Sequence, residues 1–161
     1  VAKVKAYTSY KSLLPATSRK TVVKPVANQP TLEEMPGWWP GTYPEYLVFW
    51  AYKKLGYSCN ADPENPGPDV VYQMPELGGA TIIDFAVFRD HPPLATPVNG
   101  LYWHPLFGEA FNHDMDIMRR LQDKGYKVIV FDEDDVYLDA LNLVRLAVKE
   151  GVDLSRYARL L

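Results

Sequence analysis

Glu45, Asp84 and His104 are residues that could do acid–base or metal chemistry, and they stand far apart in the chain. Asp84 is the most telling, as the only charged residue in the otherwise nearly apolar run from Thr81 to Phe88. Burying a carboxylate is costly unless it is paired, hydrogen-bonded or metal-bound. Asp84 therefore reads either as an active or vestigial ligand or as a carboxylate with its own polar partners. Carboxylate oxygens suit hard cations such as Mg²⁺, and a cation held that way can activate water. His104 follows Trp103 and reads as a catalytic histidine or as a hydrogen-bonded core one. Glu45 stands three residues after Thr42, the spacing of a capping box, which accounts for it without any ligand. His113-Asp114-Met115-Asp116 fits a solvated, dipole-favoured helix start better than a metal cluster. Asp132-Glu133-Asp134-Asp135 leads into a helix and is too short for a calcium loop. The single cysteine, Cys59, excludes an internal disulfide and a cysteine zinc cluster, and reads as small buried filler.

The elements that would position these residues follow from pattern. Thr42-Tyr43-Pro44-Glu45 opens a helix that buries Leu47, Phe49, Trp50 and Leu55 and stops at Gly56. The proline-rich stretch 60–68 predicts a rigid loop. Val70 to Met74 is a strand, Leu77 to Ala80 a turn, and Thr81 to Phe88 a second strand apolar enough to lie inside a sheet. A third strand is expected around Leu94 to Val98. A helix beginning at Asn112 or Asp114 presents Met115, Met118 and Leu121, and Lys127 to Phe131 is a buried strand. A helix capped by Asp132 runs to Gly151, and a last short helix is expected over Asp153 to Leu161. Helix, three strands, helix, strand and helix make an α/β architecture around a mixed sheet.

At 161 residues, 47% hydrophobic and 13% aromatic, the chain predicts one folded domain with a real core. No apolar run reaches the roughly 18 residues of a membrane span, and Val1-Ala2-Lys3-Val4-Lys5 lacks the apolar core of a secretory signal. An intracellular or virion-associated protein with no membrane partner is expected. Charge is unevenly spread. Residues 1–30 hold six of the 17 basic residues (Lys3, Lys5, Lys11, Arg19, Lys20 and Lys24) and none of the 20 acidic ones. The rest of the chain is strongly acidic and a poor match for phosphates, so nucleic acid is disfavoured and would have to be gripped by the basic segment. Residues 1–41 read as an extended basic arm ending in a Pro/Gly/Trp-rich stretch, and residues 42–161 as the α/β domain. Such an arm cannot fold alone and is expected to be held by its own body, a second copy or another subunit. Trp38 and Trp39, between Pro36-Gly37 and Pro40-Gly41, read as a lid over a core edge or as a partner-binding hot spot.

Ile83-Asp84-Phe85, followed by Val98-Asn99-Gly100-Leu101-Tyr102-Trp103-His104, resembles small nucleases of the PD-(D/E)XK superfamily, nearest the very-short-patch-repair endonucleases. The resemblance spans roughly residues 42–137. It implies a restriction-endonuclease-like mixed sheet flanked by helices, with an acid on the first helix (Glu45), an aspartate at a strand end (Asp84) and an E-x-K pair on the next strand. Thr96-Pro97-Val98-Asn99-Gly100 falls where that pair is due, with Pro97 and Asn99 in the acidic positions and no lysine. Trp103-His104 resembles the Trp-His pair of the short-patch enzymes, whose zinc cysteines are absent here. The implied site is degenerate, with Mg²⁺ held weakly through Asp84 or not at all.

Three functions follow as expectations. The first is a non-catalytic interaction subunit on a nuclease-like fold, anchored through residues 1–41 in a larger assembly such as a phage neck, connector or tail. The second is a Mg²⁺-dependent DNA endonuclease using Asp84 and His104, with Glu45 assisting. The third is a nucleic-acid-binding adaptor that no longer cuts.

Overall fold

A helix opens at Thr42 because the side chains of Thr42 and Glu45 satisfy each other's backbone. Thr42 accepts from the Glu45 N–H, and Glu45 reaches back to the Thr42 N–H. The helix, α1 (Tyr43–Lys54), carries Pro44 in its first turn, where the missing donor costs nothing. Gly56 follows it in the left-handed region, at φ 89°, a conformation that glycine tolerates best. The structure is a computed structural model and describes residues 28–89, 92–99 and 109–149.

Strands β1 (Val70–Glu76) and β2 (Thr81–Val87) form an antiparallel hairpin across a tight turn at Leu77–Gly79. Two short strands, β3 (Leu94–Ala95) and β4 (Val98–Asn99), come next. Helix α2 (Glu109–Asp123) leads to β5 (Lys127–Val128) and β6 (Phe131–Asp132), and α3 (Glu133–Val148) closes the described chain. β3 pairs antiparallel with β2 and parallel with β5. β4 pairs parallel with β6 in the same register. The Ile129 N–H donates to the Ala95 carbonyl at 2.9 Å and the Phe131 N–H to the Pro97 carbonyl at 2.8 Å, so the two short pairs run on as one parallel ladder. The result is the expected α/β architecture with a mixed sheet, and β2 lies inside it.

The sheet separates two apolar layers. On one side α1 and α3 pack over Phe85, Val87, Ile129 and Phe131. On the other α2 places Met115, Met118 and Leu121 against Ile83, Ala86, Ala95 and Val128. Cys59 is buried in the first layer, as expected of filler. Tyr52 crosses that layer to hydrogen-bond the Thr96 hydroxyl at 2.8 Å. The end of β1 is fastened to the far end of α2 by Glu76, which is bonded to Lys124 and, at 2.6 Å, by the Tyr126 hydroxyl.

The outer edge of β1 is covered in an unusual way. Ser58 and Asn60 bond the backbone of Val70, and the Asn60 side chain then takes over at Tyr72. Its Oδ1 accepts the Tyr72 N–H at 2.7 Å and its Nδ2 faces the Tyr72 carbonyl at 3.5 Å. Pro75, further on, has no donor to offer.

Some helix boundaries differ from expectation. α2 begins at Glu109, ahead of Asn112 and Asp114, so these residues lie within the helix and do not cap it. The Asp132 side chain makes no capping bond to α3. α3 is broken at Asp139 (φ −165°, ψ 82°), whose carboxylate accepts the Asn142 N–H at 3.0 Å and so restarts the helix. The break exposes backbone groups that Gln29 satisfies. Its amide donates to the Tyr137 carbonyl at 3.0 Å and accepts the Ala140 N–H at 2.9 Å. The stretch from Asn28 onward is thereby built into the domain. The helix expected over Asp153 to Leu161 lies outside the described residues. No helix among the described residues is long and apolar enough to cross a membrane.

Candidate functional site

The site forms where the hairpin changes faces. In a regular strand, residues two apart point to the same side. Yet Tyr72 and Phe85 pack in the α1/α3 layer, whereas Met74 and Ile83 pack in the α2 layer. Tyr72 pairs with Phe85 and Met74 with Ile83, so both strands switch sides at the rung between, where Gln73 stands opposite Asp84. The cause is visible at Gln73, whose φ of 59° is left-handed, a region that costs a non-glycine residue on the order of 1 kcal/mol.

The switch gathers polar groups from four elements. Gln73 Nε2 lies 3.3 Å from Glu45 Oε2 on α1 and 3.3 Å from Asp84 Oδ1 on β2. The Tyr72 hydroxyl donates to Glu45 Oε2 at 3.1 Å. Asp84 Oδ2 accepts the Val98 N–H of β4 at 2.8 Å. Glu45 Oε1 takes the Thr42 N–H at 3.0 Å and the Thr42 hydroxyl at 2.7 Å. Asp84 also borders a cavity of about 130 Å³ between the sheet and α2, lined in part by Thr81, Ile83, Pro97, Asp114 and Met118.

Electrostatics follow from this packing. Burial pushes the Asp84 carboxyl up from its ordinary 3.8 to about 6. The Val98 N–H pulls it back down, and the neighbouring Glu45 carboxylate adds a further upward push. Burial and the Glu45 charge likewise raise the Tyr72 phenol, which stays a donor. Arg89, the basic residue nearest Asp84 in sequence, is engaged elsewhere. It donates to the Gly56 carbonyl at 2.8 Å, pairs with Asp69 at 3.6 Å and covers the Tyr57 ring. Lys124 is spent on Glu76, and Arg119 and Arg120 are exposed on α2.

A carboxylate has about four acceptor positions, and four donors from this chain fill those of Glu45. Asp84 accepts from Gln73 and Val98 and also shares a side-chain hydrogen bond with Glu45 itself. Mg²⁺ needs oxygen ligands in near-octahedral array. Among the described residues, no three His, Cys, Asp or Glu side chains come together to hold a metal. Mg²⁺ can also be held by two carboxylates and water, but the facing oxygens, Glu45 Oε2 and Asp84 Oδ1, are both bonded to Gln73, so the described side chains as they stand do not fit a Mg²⁺ centre. What they make is a hydrogen-bonded polar cluster in which Asp84 can carry a proton close to neutral pH.

Of the residues singled out in the sequence, Glu45 and Asp84 come together, joined through Gln73. Pro97 lines the cavity beside Asp84. Trp39 and Trp38 part company. Trp39 is buried and stacked on Phe85, whereas Trp38 is 46% exposed and rests edge-on against Trp39 and Phe49. His104 lies outside the described residues, as do Lys3, Lys5, Lys11, Arg19, Lys20 and Lys24. Gln73 and Tyr72 were not anticipated. Counting back from the Gly78-Gly79 turn sets position 73 across from 84 and could have exposed Gln73. No family model, curated protein or solved structure matches this chain.

Proposed function

We propose that the chain is a non-catalytic interaction subunit built on a nuclease-like framework, held in a larger assembly through residues 1–41, of which the part from Asn28 onward also packs on the domain itself. The observation that carries this reading is the Glu45 carboxylate, filled by Thr42, Tyr72 and Gln73. With four donors of this chain on its two oxygens, Glu45 presents no open acceptor position to a metal. Two features support the nuclease-like ancestry. The mixed sheet flanked by helices is compatible with the fold the resemblance implies. Glu45 and Asp84 also meet where that resemblance would set two of its acids. Pro97 in place of the third acid supports the non-catalytic part of the reading. For the interaction role the support is Trp38, a large aromatic that stays 46% exposed while resting edge-on against Trp39 and Phe49.

A second reading, a Mg²⁺-dependent DNA endonuclease using Asp84 and His104, draws on the raised pKa of Asp84, a mark common at active sites. One assay separates the two. Single- and double-stranded DNA are incubated with the native chain and Asp84→Ala in Mg²⁺ or Mn²⁺. The expected outcome is intact DNA with both proteins, each shown to be folded. Metal-dependent cutting by the native chain that vanishes in Asp84→Ala would establish the endonuclease.

A further inference from the structure

The cation implied between Glu45 and Asp84 does not fit the residues present, and the reason is a single side chain. Gln73 Nε2 is 3.3 Å from one oxygen of each carboxylate. An amide NH₂ carries two hydrogens with partial positive charge, one for each acid. It thus satisfies two converging carboxylates by hydrogen bonds, where a shared cation would do so by charge. The backbone is arranged for this at a cost, since Gln73 sits at φ 59° directly across from Asp84. Strained residues persist only where their surroundings hold them; here Tyr72 and Met74 are packed in opposite layers on either side of Gln73, and the two carboxylates receive its amide.

We infer that Gln73 is a built-in plug whose amide, on the exposed side of the touching Glu45 and Asp84 carboxylates, occupies the oxygens they turn toward solvent and so keeps divalent cations out. The inference rests on the reading of a retired site, but it can fail separately. Removing the amide would release one acceptor position on Glu45 Oε2 and one on Asp84 Oδ1, both facing the same point. Two carboxylate oxygens completed by water are the kind of set on which Mg²⁺ or Mn²⁺ binds.

Mn²⁺ binding tests this, followed by the electron paramagnetic resonance signal of the free ion in the native full-length chain, Gln73→Gly and Gln73→Asn. Glycine suits the left-handed backbone, and asparagine tolerates it while its shorter amide cannot span both acids, so one of the two should fold. Near-UV circular dichroism confirms folding. Either folded variant is expected to bind Mn²⁺ about tenfold or more tighter than the native chain. A second change, Asp84→Asn, should return the affinity to the native level. Equal affinity in the native and folded variant proteins would overturn the plug and leave the non-catalytic reading standing. A gain that survives Asp84→Asn would overturn it too, because the ion would then be binding elsewhere.

Discussion

Replacing Asp84 by asparagine should stabilise the protein at neutral pH, because its folded environment disfavours the charge. Its carboxyl is raised from 3.8 to about 6. The sign follows from proton binding. The folded chain holds this proton more tightly than the unfolded one, so the group's stabilising contribution is complete below about pH 4 and is lost as pH rises through 6. A difference of roughly two pKa units corresponds to about 3 kcal/mol, at about 1.4 kcal/mol per unit. Asparagine escapes that cost but gives up the charged acceptor of the Val98 N–H, a loss of about 1 kcal/mol. The net gain expected at pH 7.5 is therefore about 1–2 kcal/mol. At pH 4 the native residue is itself protonated, and the advantage should disappear. Urea unfolding of the native and Asp84→Asn chains at both pH values reads this difference directly. A variant that is less stable at pH 7.5 by the same margin as at pH 4 would refute the reasoning. It would mean that the Asp84 charge is welcome where it sits.

Two further substitutions probe the framework around the site. Gln29→Ala removes the partner of both the Tyr137 carbonyl and the Ala140 N–H at the break in α3. It should cost about 2–3 kcal/mol in urea unfolding and speed hydrogen exchange at Ala140, and an unchanged exchange rate there would exclude the bridge. Glu76→Gln weakens the bonds from Lys124 and Tyr126, which hold the Glu76 carboxyl below its ordinary 4.5 against the opposing effect of burial. It should cost about 1–3 kcal/mol at pH 7. Because the native pKa is lowered, that stabilisation is present above 4.5 and fades as pH falls through the folded value, so the two chains should converge in acid.

Much of this architecture was legible in the residues because local chemistry decides it. Thr42 and Glu45 announce the start of α1, Gly56 its end, and the apolar run around Asp84 an internal strand. The pairing of Glu45 with Asp84 was suggested by resemblance, and the fold brings the two together through Gln73. What escaped depends on contacts distant in sequence. Val70 to Met74 looks like an ordinary strand, and nothing local marks Gln73 as left-handed, because the conformation goes with Tyr72 and Met74 packing into opposite layers built from distant residues. The break at Asp139 falls within a good helical pattern, and the residue that makes it tolerable, Gln29, lies more than a hundred positions away. Trp38 and Trp39 are identical in type and adjacent, and only their packing in the fold, with Trp39 against Phe49, Tyr72 and Phe85, decides which one faces water.

The Asn60 side chain, lying along the outer edge of β1 and bonded to both backbone groups of Tyr72, has a consequence for how this protein can meet others. A free sheet edge is a template that any extended chain can copy, whatever its sequence, and it is a common route to runaway polymerisation. Here one asparagine imitates the missing strand, and the left-handed Gln73 and Pro75 spoil the line beyond it. This margin of the fold offers no generic foothold. Association along this side must be won by side chains of matching shape, which makes it selective.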